Sequence, residues 1–150
     1  MTRLMVLLHL FGFVLWLGGA LAVMVAGVMG RREAPEVFAT VGRLQGAITA
    51  RLVAPGALLV LVSGLALTML RYPGPAMAQA SPWLFVMQAT GAIGALLVLF
   101  AALPTASRLA RTDPRGDTAP LFLLLRKRQS VVGSVAGALG LAALAAAVML

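Results

Sequence analysis

Four stretches of the chain, residues 4–29, 52–70, 83–103 and 131–150, contain no Asp, Glu, Lys or Arg. Crossing a hydrocarbon layer about 30 Å thick takes roughly 20 helical residues, and each stretch is long enough to do so. Lipid offers backbone N–H and C=O groups no partners, so only helices or closed β-barrels can span it. These runs are continuously apolar and lack the alternation of barrel strands, which predicts an all-α integral membrane bundle of four transmembrane helices. The whole chain, 1–150, then reads as a single four-span membrane domain. Composition agrees: 61% of residues are AVILMFWYC, 11% are charged and the mean hydropathy is +1.02, leaving too few polar side chains to cover a soluble domain.

The net charge of +8 would suggest nucleic acid in a soluble protein, but here its distribution follows the spans. Arg31, Arg32, Arg43 and Arg51 fall in the first connection, and Arg108, Arg111, Arg115, Arg126, Lys127 and Arg128 in the third. Only Arg3 and Arg71 lie on the other side, and ten cations against two place the first and third connections in the cytoplasm. Both termini are then periplasmic, in a bacterial inner membrane. No nucleic-acid partner is expected, because the connections lack base-reading or stacking side chains. Anionic lipid headgroups are the expected partner of the cytoplasmic cations. Arg3, an apolar run and Ala20-Leu21-Ala22 imitate a secretory signal with a small-residue cleavage site. Cleavage there would leave Arg31 and Arg32 outside, against the positive-inside bias, so the segment is read as a span.

The two basic connections carry patterns of their own. Pro35 suits a first helical turn, and Val37, Val41, Leu44 and Ile48 form an apolar stripe, predicting an amphipathic cytoplasmic helix that runs into the second span. Gly46 and Pro55 are its expected bending points. Asp113-Pro114-Arg115-Gly116-Asp117 predicts a turn. Asp117 or Thr118 can then cap a helix with Pro120 in its first turn, carrying Leu121, Leu124 and Leu125 toward the membrane.

His9 is the one ionisable side chain inside a span, about 8 Å into the first helix. Gly12, Phe13, Trp16 and Gly19 follow at helical spacings, so one face presents an imidazole, two aromatics and flat glycine notches. Such a face suits a planar ligand such as haem. It equally suits close helix packing, with Gly12 and Gly19 as the points of approach and a neutral histidine bonding across the bundle.

The first-helix pattern, His9-Leu10-Phe11-Gly12-Phe13-Val14-Leu15-Trp16-Leu17-Gly18-Gly19, resembles the N-terminal helix of the copper resistance D (CopD) group and of HemJ-type protoporphyrinogen oxidases, two related sets of bacterial inner-membrane proteins. Pro55-Gly56 with Gly64 nine positions after the proline resembles their second helix, and Trp83 resembles the opening of their third. The resemblance implies a haem b or copper-related role with His9 as ligand. HemJ-type oxidases carry a lysine four residues after the third-helix tryptophan, where this chain has Met87, so protoporphyrinogen oxidation is not expected.

Met87 lies about 6 Å into the third span, at nearly the depth of His9, so the two are candidate axial ligands of one haem, with Trp16 as a wall of the site. Met5, one turn before His9, and Met69 add thioethers that favour Cu(I). Eight methionines in so apolar a chain also read as adaptable packing. Gln88 and Thr90 read as interhelical hydrogen-bonders. Gly133 and Gly137 form a GxxxG in the fourth span, a close-contact face within the bundle or in a homodimer.

Hydrolytic chemistry lacks its residues. The chain has no Cys and one His, and Glu33, Glu36, Asp113 and Asp117 all fall in the basic connections, so no carboxylate pair or proton path lies within the spans. Two readings remain: a redox or metal-handling protein that holds haem b, or less readily copper, through His9; and a membrane subunit or assembly protein without cofactor that binds partner helices and lipid.

Overall fold

A computed structural model describes residues 2–30 and 35–150; Arg31, Arg32 and Glu33 of the sequence reading lie outside them. All regular secondary structure among the described residues is helical. Four helices are long and apolar enough to cross a membrane: Thr2–Met29, Val37–Arg71, Pro82–Leu109 and Gly116–Val148. The first is α1 (Thr2–Met29). The second comprises α2 (Pro35–Ile48), a π-helical turn (Thr49–Val53) and α3 (Ala54–Arg71). The third comprises α4 (Pro82–Leu97), a π-helical turn (Val98–Ala102) and α5 (Leu103–Leu109), and the fourth is chiefly α6 (Ala119–Val148).

Both π-helical turns run directly into a proline, Pro55 and Pro104. Proline lacks an N–H and crowds the carbonyl four residues earlier, and a wider turn accommodates that misfit without ending the helix. Helix two therefore continues from the first connection into the span, with Pro55 absorbed rather than forming a break.

The helices form two tight pairs, α1 with α3 and α4 with α6, joined by lighter contacts between α3 and α4 and between α1 and α6. Glycine sets the first pair. A Cβ on Gly56 would lie 2.6 Å from the Trp16 backbone nitrogen and 2.7 Å from the Gly12 carbonyl oxygen, so the two backbones nearly touch. Gly12 faces Leu59 and Val60 of α3, and Gly19 faces Val53. The two motifs Gly12-to-Gly19 and Pro55-to-Gly64 thus pack on each other. Trp16 is fully buried at the centre, among Val53, Ala57, Val60, Ala95, Val98 and Ala136. Gly94 of α4 and Gly140 of α6 make room for its ring.

The basic connections meet at one end. Phe122 and Leu125 of α6 pack with Leu109 of α5 and Phe38 of α2. Arg126 lies 4.7 Å over the Phe38 ring and donates to the Gly27 carbonyl at 3.0 Å, tying α6 to α1 and α2. Gln45 Nε2 donates to Val23 O at 2.9 Å.

Small and polar residues make the buried face of α2: Leu44 is 51% exposed, whereas Gly42, Gln45, Gly46 and Thr49 are buried. Gly42 sits against Leu109 and Phe122, and Gly46 against Ala106 and Ala110. Thr118 precedes α6 without capping it by side chain; its hydroxyl donates to the Asp113 and Arg115 carbonyls in the turn. That turn forms as expected, with Gly116 at φ +60° and Arg115 N donating to Asp113 Oδ1. On α6, Phe122 and Leu125 pack inward, while Leu121 and Leu124 are exposed on the outside of the bundle.

Candidate functional site

At the end opposite the basic connections, α1, α3, α4 and α6 enclose a cavity of about 300 Å³. His9 from α1 and Met87 from α4 both line it, although 78 positions separate them in sequence, along with Gln88. Gly64, Gly91, Ala92, Ala143 and Ala147 complete much of its wall. Small side chains there keep the floor flat, and the exposed Leu10, Leu65 and Leu144 mark its opening on the outside of the bundle.

The orientation of His9 follows from α3. His9 Nδ1 lies 3.1 Å from Ser63 Oγ. The Ser63 hydroxyl donates to the Leu59 carbonyl one turn earlier, which leaves its oxygen to accept from His9 in the Nδ1–H tautomer. In that tautomer the lone pair is on Nε2, the arrangement in which histidine coordinates iron or copper. Gly64 permits the approach: a Cβ there would meet His9 Cε1 at 3.0 Å. Ser63 is 2% exposed and escaped the sequence reading, because a serine in a span ordinarily bonds its own helix, as this one also does.

A second polar link closes the cavity from the side. Gln88 Nε2 donates to Thr68 Oγ1 at 2.6 Å, and Thr68 in turn donates to the Gly64 carbonyl at 3.0 Å. Gln88 is thus the interhelical hydrogen-bonder its sequence position suggested. Thr90 is not: its hydroxyl returns to Val86 O and Met87 O within α4.

Trp16 and Met5 do not line this cavity. Trp16 lies deeper, linked to His9 only through Phe13, whose ring centroid is 6.5 Å from that of His9 and 6.0 Å from that of Trp16. Met69 is 65% exposed. Gly12 and Gly19 are contact points within the bundle, whereas a Cβ on Gly133 or Gly137 would meet nothing within 4 Å.

No group of three His, Cys, Asp or Glu converges among the described residues. A porphyrin brings four nitrogens of its own and asks the protein for one or two, and a His9 and Met87 pair fits that demand. Compared with family models, curated proteins and solved structures, the chain gives no match.

Proposed function

We propose that this chain is a multi-pass protein of a bacterial inner membrane that binds haem b near the periplasmic side and serves a redox role. His9 Nε2 and the Met87 thioether would hold the iron. When bound, the iron of such a haem would take up and pass on one electron at a time. The chain's own contribution is to fix the imidazole through Ser63, to keep the cavity wall flat and apolar, and to exclude water. His/Met ligation would hold the reduction potential high.

The observation that carries this reading is the convergence of His9 and Met87 on one cavity, with His9 Nδ1 3.1 Å from Ser63 Oγ. Resemblance of the paired first- and second-helix motifs to the CopD and HemJ groups points the same way. The test is an absorption spectrum of the detergent-purified protein, oxidised and reduced, with iron and copper analysis of the same sample. A Soret band and about one iron per chain in the wild type, both lost in His9→Ala, are expected. Stoichiometric copper without haem, or a colourless and metal-free preparation, would overturn the proposal.

A further inference from the structure

The end of the bundle opposite the basic connections holds two cations among the described residues, Arg3 and Arg71, both exposed and both on helices that build the His9 cavity. Arg71 follows Gly64 by seven residues, about two turns, so it stands roughly 10 Å further out on the same face of α3. Arg3 precedes Leu10 by the same interval on α1. Gly64 and Leu10 both line the cavity, so each of the paired helices α1 and α3 carries a cation above its part of the wall. The two are not equivalent. Every Cα–Cβ bond in a helix tilts toward the N-terminus, so that of Arg71 leans back along α3 toward the cavity, and that of Arg3 leans away from it.

No acidic side chain meets these cations at their end of the spans, since Glu33, Glu36, Asp113 and Asp117 all belong to the first and third connections. In the proposed orientation the positive-inside bias disfavours cations on this side, and the two that are present both stand over the cavity. Below them the wall carries no charge: His9 and Gln88 are its only polar side chains, and Gln88 Nε2 is taken up by Thr68. The site thus combines a ligating nitrogen, apolar sides and positive charge outside the rim. A neutral planar molecule leaves that charge unused, whereas an apolar plate with carboxylates along one edge meets all three features.

We infer that Arg71 is a specificity-determining residue of the His9 site: its guanidinium pairs with the propionate carboxylates of a porphyrin, so the site takes a porphyrin acid in preference to an uncharged planar molecule. A guanidinium matches a carboxylate through two parallel N–H···O bonds, and Arg3 adds positive charge at longer range. The inference rests on the haem reading for the plate of the ligand but not for its ligation, because pairing at the rim needs no iron.

Protoporphyrin IX without iron and its dimethyl ester, each titrated into the detergent-purified full chain and followed by porphyrin fluorescence, test this. Comparing the ratio of the two affinities between variants cancels their unequal partition into micelles. The wild type should favour the acid, and Arg71→Gln should shrink that preference about five-fold, the size of one exposed charge pair, with helicity unchanged. Arg71→Lys should restore most of it, Arg3→Gln should reduce it less than Arg71→Gln does, and His9→Ala should leave it at the wild-type value. The same ratio in wild type and Arg71→Gln overturns the inference while the haem reading stands; haem retention that survives His9→Ala overturns the haem reading while the inference stands. Absence of saturable binding of either metal-free porphyrin to the wild type also overturns the inference, as does displacement of the acid by equimolar phosphatidylglycerol, which would give Arg71 to a lipid phosphate.

Discussion

Trp16 has no exposed surface, and its indole Nε1 has no acceptor. The residue therefore stabilises by volume, filling the space that Gly94 and Gly140 leave at the centre of the bundle. Trp16→Ala should cost about 3–5 kcal/mol through the cavity it creates, and Trp16→Phe much less, since phenylalanine buries no unpaired N–H. Gly56→Ala should cost about 1–3 kcal/mol, because its new methyl would collide with the α1 backbone. Gly133→Ala should raise stability by about 0.5–1 kcal/mol, since its methyl would meet nothing and alanine restricts the unfolded chain. Unfolding midpoints of the four variants in one detergent check the series. At this scale His9 was legible because it is ionisable within a span, and Met87 because its depth could be counted from the sequence. Ser63 and the two-step link from Gln88 through Thr68 to Gly64 were not, because they depend on which helix faces come together.

Hydropathy located the four long helices, since charge is excluded from hydrocarbon and the excluded residues mark the boundaries. Which faces meet follows a second rule, by which small residues let helices approach closely while large apolar ones turn outward. On α2 this is visible in the buried Gly42 and Gly46 against the exposed Leu44. Helices two and four extend through the basic connections because Phe38, Leu109, Phe122 and Leu125 give those extensions a small core of their own. Arg126 fastens that core to α1 through Gly27 O and to α2 through the Phe38 ring. Arg126→Met should release these attachments and raise amide exchange in α2 by about ten-fold or more, the equivalent of one charge-assisted bond, while α3 and α4 exchange as before. Equal protection of α2 in variant and wild type would show that packing alone holds it.

Across the described residues, most of the cations gather at one end, and the His9 cavity opens at the other, where Arg3 and Arg71 lie, with the Trp16 layer between. The proposed orientation sets the basic end in the cytoplasm. Because the chain contains no cysteine, single Cys substitutions report sidedness without background. A membrane-impermeant maleimide applied to intact spheroplasts should label Gly74→Cys and spare Gly116→Cys; the opposite pattern would invert the orientation. The architecture was readable from four charge-free runs, whereas the His9 cavity arises from the pairing of α1 with α3 and α4 with α6, which no single run encodes. Haemin titration into cofactor-free protein tests the proposed site most directly, monitored at the Soret band in wild type, His9→Ala, Ser63→Ala and Met87→Leu. The predicted result is one haem per wild-type chain, no saturable site in His9→Ala, affinity lower by about 10–100-fold in Ser63→Ala, and a lowered reduction potential with retained haem in Met87→Leu. Saturation of His9→Ala at the wild-type stoichiometry and affinity would contradict the proposal.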